Sequence, residues 1–292
     1  MPFQRAHLLF AWHLMRSLII FPFGKKQPSL PLQEVSQVRD KSSKDLPFGI
    51  YTLNRANMEA RMKHINLSFA ACGFLGIYHL GAASAFCRHG KKLLKDVKAF
   101  AGASAGSLVA SVLLTAPEKI EECNQFTYQL AEETRNQSFG AVTPGYDFMA
   151  RLRSGMESIL PPDAHELAHR RLHVSVTNTK SRQNYLVSRF PSREDLIQSW
   201  VDGGLTNSLP ILPGGRTVTL SPFCGRQDIS PRDKGQLSLY IKVTNQDVML
   251  SPANLVRLSQ ALFPPNRRKM ESLYRSGFDD AVKFLLKEGW FQ

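Results

Sequence analysis

No histidine follows His173 in this chain of 292 residues, and that absence restricts the chemistry available to it. A serine hydrolase of the α/β-hydrolase type takes its partners in the order serine, acid, histidine, and nothing beyond residue 173 can supply the last of them. Cysteine is also scarce. Cys72, Cys87, Cys123 and Cys224 form no C-x-x-C pair, and no His/Cys/Asp cluster has ligand spacing. This predicts reduced thiols, an intracellular setting, no metal and no other cofactor. Acids are outnumbered by bases, 24 against 37, giving a net charge of +13. So basic a chain raises nucleic acid as a partner, but the positive residues are spread out and no nucleic-acid-binding motif accompanies them. An anionic lipid surface fits better. No apolar run reaches the roughly twenty residues of a spanning helix, because His13 and Arg16 interrupt the nearest candidate, residues 8–23.

Residues 1–61 read as a basic leader. It has no acid before Glu34, and Arg5, Arg16, Lys25 and Lys26 punctuate its apolar stretch. Arg16 splits that stretch and no A-x-A-like site follows, which argues against a secretory signal. A mitochondrial presequence, an interfacial anchor, or upstream sequence that is not normally part of the protein remain as readings. Residues 24–60, with Pro, Ser and Lys and no clear periodicity, are expected to be flexible. Residues 62–292 are ample for one α/β domain, and Met62 is expected to open its first strand.

The most informative string is Gly102-Ala103-Ser104-Ala105-Gly106, set between a strand-like run at residues 97–101 and a small, apolar helical run at residues 106–116. Strand, G-x-S-x-G and helix together have the form of a nucleophile elbow. Glycines two before and two after the serine let the two backbones approach while the serine stands at the bend. Ser104 is therefore the expected nucleophile. His165, His169 and His173 follow it, but residues 164–171 read as a polar, surface-facing helix, and these histidines are expected to be solvated.

Upstream, Ile65, Leu67 and Phe69 alternate in strand fashion before Ala71-Cys72-Gly73-Phe74-Leu75-Gly76 and a helix from Ile77. A glycine-containing loop between strand and helix forms a nest of N–H groups suited to an anion. As a dinucleotide fingerprint it fails, because Ala71 replaces the first glycine and Asp96 precedes its strand. An oxyanion hole needs no ribose partner and remains. Downstream stands Asp202-Gly203-Gly204, by itself as good a tight turn as a catalytic acid.

In identity and order, these three motifs resemble the patatin-like phospholipase family, and the resemblance extends over residues 62–292. It implies a patatin-like three-layer α/β/α sandwich with a mostly parallel central sheet, and a Ser-Asp dyad without histidine. On that pattern Ser104 is the nucleophile, Asp202 the proton acceptor, residues 71–76 the oxyanion hole, and Gly203 and Gly204 the turn that carries the acid. The implied substrates are acylglycerols, phospholipids or retinyl esters. The implied setting is cytoplasmic, peripheral to lipid droplets or membranes.

The chain departs from the family pattern in one serious place. A hydrophobic segment, a Pro-containing turn and a further strand belong between the helical run at residues 192–198 and Trp200-Val201-Asp202, and they are missing here. Two expectations follow: a lipid acyl hydrolase or transacylase, or a catalytically impaired form that only binds lipid surfaces. At the C-terminal end, Leu255, Leu258 and Leu262 recur at helical spacing before Arg267-Arg268-Lys269, which suits either an interfacial element or a core helix followed by a solvated loop. Phe278, Val282, Leu285 and Leu286 are expected to be the packing stripe of the last helix.

Overall fold

A computed structural model describes residues 64–178, 181–199, 206–233 and 239–292. Backbone contacts divide the chain into residues 1–64 with 213–216, and residues 65–212 with 217–292. Of the first unit only His64 and residues 213–216 are described, and there the Arg216 N–H donates to the His64 carbonyl at 2.8 Å.

The second unit is an α/β layer structure. Its elements run β1 (Ile65–Phe69), α1 (Gly76–His89), α2 (Lys91–Asp96), β2 (Val97–Ala103), α3 (Ala105–Thr115), α4 (Ile120–Arg135), α5 (Phe148–Ile159), α6 (Ala164–Ala168), β3 (Leu172–Thr177), β4 (Asn184–Val187), α7 (Arg193–Gln198), β5 (Arg216–Leu220), β6 (Tyr240–Val243), β7 (Gln246–Met249), α8 (Pro252–Leu262) and α9 (Arg267–Glu288). Five strands form the central sheet in the order β4-β3-β2-β1-β5, and β6 and β7 form a separate hairpin. β1 with β2 and β2 with β3 are parallel, whereas β4 closes one edge antiparallel to β3. The first strand begins at Ile65; Met62, expected to open it, lies outside the described residues.

The strands read as they do because helices cover both sides of them. Leu67, Phe69, Phe100, Leu172, Val174, Val218 and Leu220 are all buried, and consecutive residues of β1 and β2 are buried together rather than alternately. That is the pattern of a parallel sheet enclosed by helices. Side chains start the helices where the sequence provides N-terminal caps: Asp147 for α5, Ser192 for α7, Ser251 for α8 and Asn266 for α9. All four cysteines are free thiols.

The longest helix departs from expectation. α9 runs from Arg267, so Arg267-Arg268-Lys269 form its first turn rather than a loop. Its buried seam is Met270, Leu273, Gly277, Ala281, Phe284 and Leu285, while Phe278 and Val282 are half-buried and Leu286 is 58% exposed. The seam is displaced because α9 packs along α1 at two glycines. A Cβ on Gly81 would lie 1.9 Å from the Tyr274 carbonyl oxygen, and one on Gly277 would lie 2.0 Å from that of Tyr78. Backbone touches backbone there, which selects the helix face by closeness of approach rather than by the largest side chains.

Candidate active site

Ser104 occupies the sharp bend between β2 and α3, at φ 51° and ψ −129°. For a residue with a Cβ this conformation costs on the order of 1–3 kcal/mol and persists only where its surroundings enforce it. The neighbouring glycines make the bend possible. A Cβ on Gly102 would meet the Ser107 nitrogen at 2.6 Å, and one on Gly106 would meet the Phe69 and Ala70 oxygens at 2.3 and 2.5 Å. Behind the bend, the Ser104 carbonyl accepts the Ser107 N–H at 2.9 Å and the Ser107 hydroxyl at 2.6 Å. The Ser104 side chain is half-buried, at the end of α3 where the first N–H groups have no carbonyl of their own helix.

The loop after β1 divides its donors. Ala71 donates to the Ser208 carbonyl at 2.8 Å, Leu75 to Cys72 at 3.0 Å, and Gly76 to Gly73. Among the described residues, no acceptor takes the N–H groups of Cys72, Gly73 and Phe74. Gly73 holds φ 53°, and a Cβ on it would lie 2.2 Å from the Ala261 carbonyl oxygen of α8. The loop also abuts the elbow, since a Cβ on Gly76 would lie 3.3 Å from that of Ala105. Cys72 is buried, and burial pushes its thiol far above the ordinary range, so it is an inert filler rather than a rival nucleophile.

One buried histidine was missed in the sequence. His79 of α1 is wholly inaccessible, with Nε2 3.0 Å from the Ala70 carbonyl and its ring edge-on to Phe69. Burial lowers its pKa to about 4 against the opposing hydrogen bond to Ala70, so the ring is neutral and Nε2–H is the donor. It holds the carbonyl that immediately precedes the loop. Of the downstream histidines, His169 is exposed as expected, whereas His165 is half-buried. α6 is only Ala164–Ala168, with both ends buried, and His173 is half-buried in β3 with its pKa lowered by burial rather than solvated.

Asp202, Gly203 and Gly204 lie outside the described residues, as does Trp200. The chain on either side is well anchored. Ser199 ends α7, with its hydroxyl donating to the Asp195 carbonyl at 2.6 Å. Further along the chain, the Thr206 hydroxyl is 2.8 Å from that of Thr177, and the Asn207 carbonyl accepts the Ser175 hydroxyl at 2.8 Å. Asn184 donates to both Ser175 and Thr206. The Ser208 carbonyl then accepts the Ala71 N–H, and its own N–H donates to the Thr244 carbonyl in the β6–β7 turn. Ser175 stands in register with Ala103, the residue before Ser104. Residues 206–208 therefore join the carboxyl end of β3 to the loop after β1, the strands on either side of the one that carries Ser104.

Residues 67–197 match the family model described as patatin-like phospholipase. Human patatin-like phospholipase domain-containing protein 4 is 76% identical over 253 residues, covering 79% of this chain and 100% of the human protein. Human patatin-like phospholipase domain-containing protein 2 is 34% identical over 254 residues, 80% of this chain and 50% of that protein. A human 1-acylglycerol-3-phosphate O-acyltransferase is 32% identical over 247 residues, 77% of this chain and 51% of that protein. The chain thus spans the whole of the first relative and about half the length of the other two. Since 79% of 292 residues is about 231 while the first alignment runs over 253, about 22 positions of that relative have no counterpart here.

Proposed function

Because the chain belongs to the patatin-like phospholipase family, we propose that it transfers acyl groups from lipid esters through Ser104, with Asp202 taking the proton. Lipid hydrolase or acyltransferase activity is what the family suggests. In the proposed reaction, the Ser104 hydroxyl attacks the ester carbonyl carbon and its proton passes to the Asp202 carboxylate. The oxyanion that forms takes hydrogen bonds from the N–H groups of Cys72, Gly73 and Phe74, each such donor being worth roughly 3 kcal/mol at the transition state. Collapse expels the alcohol, which recovers the proton from Asp202 and leaves an acyl-serine. Water or a second alcohol then attacks the acyl-serine, so hydrolase and transacylase share one pathway and differ only in the acceptor.

The observation that carries this reading is the pairing of a strained serine at a glycine-flanked elbow with a neighbouring loop whose three N–H groups have no acceptor among the described residues. Support for Asp202 comes from its tether. Thr206 lies four residues further along the chain, a span of at most about 14 Å. Thr206 is hydrogen-bonded to Thr177, near the strand ends that flank the serine. His79 is no competitor as the base, because it is inaccessible and its Nε2 is committed to Ala70.

Long-chain acylglycerols, phospholipids or retinyl esters are the proposed substrates, met at a droplet or membrane surface inside the cell. The shortfall of about 22 positions favours a second reading, in which lipid binding survives while misplacement of the acid by about 1 Å removes some hundredfold of the rate. Hydrolysis of a soluble short-chain ester by the wild type, Ser104→Ala and Asp202→Asn separates the two. Turnover lost in both variants supports the dyad. Turnover retained in Ser104→Ala removes the serine, and none in any protein, restored on insertion of a family-like segment after Ser199, selects the second reading.

A further inference from the structure

Among the described residues, seven of the 13 exposed large apolar residues fall in one span. Leu239, Ile241, Val243, Leu250, Leu255, Val256 and Leu258 are 39% to 60% exposed, and all fall within residues 239–258. The hairpin register explains the first four. Leu239 precedes β6, along which Ile241 and Val243 alternate, Val248 lies opposite Ile241, and Leu250 donates its N–H to the Leu239 carbonyl, so these side chains share one face. The helix that follows has its polarity reversed. α8 buries an amide, Asn254, and a small residue, Ala261, and turns Leu255, Val256 and Leu258 outward. A helix on the surface of a water-soluble domain does the opposite.

We propose that residues 239–258 are the face by which this chain docks on an anionic lipid surface, beside the mouth of the site; the inference rests on the lipid-ester reading of that site. Three observations favour that occupant. The span is fastened to the candidate oxyanion loop from two sides, through the Ala261 carbonyl against Gly73 and the Thr244 carbonyl on Ser208, which itself holds Ala71. An ester drawn from a surface on this face enters next to Ser104. Cations surround the span: Lys242 is exposed, the Arg226 guanidinium lies 4.5 Å from the Tyr240 ring centroid, and Arg267, Arg268 and Lys269 are exposed just beyond α8. Those last three stand at a helix N-terminus, where the dipole disfavours positive charge; Arg267 is paired with Glu271 at 3.3 Å, and the placement of Arg268 and Lys269 suits an external anion better than it suits the helix. No helix among the described residues is long and apolar enough to cross a membrane, and a face of this kind lies along the interface.

Flotation with vesicles of phosphatidylcholine, with and without phosphatidylserine, tests the proposal on the full chain. Two variants are compared, Leu255→Ser/Val256→Ser/Leu258→Ser and Ile241→Ser/Val243→Ser, with Arg267→Glu/Arg268→Glu as a charge control. The expected result is binding of the wild type that strengthens with phosphatidylserine, at least about tenfold weaker binding in each serine variant, and loss of the phosphatidylserine dependence in the charge variant. Turnover of a soluble ester and the melting temperature stay near wild type, because these side chains are exposed. Wild-type vesicle binding in both serine variants overturns the proposal. So does a wild-type dimer that the serine variants dissociate while vesicle binding persists, which assigns the face to a second copy. Binding is read without turnover, so a failure of the dyad reading leaves this result independent.

Discussion

Gly106 stands against the Phe69 carbonyl with room for hydrogen and nothing larger: a Cβ there would lie 2.3 Å from that oxygen and 2.5 Å from the Ala70 oxygen. The helix behind Ser104 is thereby pressed onto the strand that leads into the loop at residues 71–76. Gly106→Ala must push α3 away from β1, with an expected loss of about 3 kcal/mol by urea denaturation and no measurable turnover. Gly214→Ala, where a Cβ meets nothing within 4 Å, is the control and should change stability by about 0.5 kcal/mol or less.

Strain at Ser104 gives a second expectation. Ser104 holds φ 51° with a Cβ, a conformation that glycine adopts freely. Ser104→Gly should therefore stabilise the chain by about 1 kcal/mol relative to Ser104→Ala, while both abolish turnover. Equal urea midpoints for the two variants would mean that the elbow stores no strain.

His79 makes stability depend on pH in a set direction. Its folded pKa is lowered to about 4 from 6.5, so the unfolded chain binds the extra proton first. The stabilisation is complete above pH 6.5 and is lost as pH falls from there towards about 4, at up to about 1.4 kcal/mol per unit. His79→Gln keeps a donor for the Ala70 carbonyl and cannot titrate. Its stability relative to wild type should improve by about 2 kcal/mol between pH 7 and pH 5, as read from urea midpoints at both pH values.

Asp233 titrates with the opposite sign. Arg257 grips its carboxylate with two hydrogen bonds, of 2.9 and 2.7 Å, and these, with the Ser251 hydroxyl, hold its pKa below the ordinary carboxylate value. The pair fastens α8 to the segment before the hairpin. Its contribution is present above the unfolded carboxylate pKa and is lost as pH falls through the lower folded value. Asp233→Asn should cost about 2 kcal/mol at neutral pH, and its deficit against wild type should shrink as the solution is acidified below the ordinary carboxylate range.

The elbow was legible because its requirements are local. A strand, two glycines and a serine within five residues, and a helix determine the bend, and residues 97–106 show all of these. The loop at residues 71–76 was legible as a nest for the same reason. Which of its N–H groups stay available was not, because Ala71 is taken by Ser208, a partner 137 positions away. His79 carried no signal among the small and apolar residues of α1, since a helix pattern does not reveal which carbonyl a ring will meet. The last helix was legible as a helix but not in its seam, which Tyr78 and Tyr274 set through backbone contact with Gly277 and Gly81.

By itself the sequence determined the α/β class, the family, the elbow at Ser104 and the absence of a downstream histidine, all of which depend on residue type at short spacing. Tertiary structure alone decided that Asn207 and Ser208 tie the end of β3 to the loop after β1, and that α8 turns its leucines outward. The reason is physical. Short-range order follows from steric and hydrogen-bonding preferences within a few residues, whereas the partner of a buried polar group, and the side of a helix that is left uncovered, depend on which distant segments close over it.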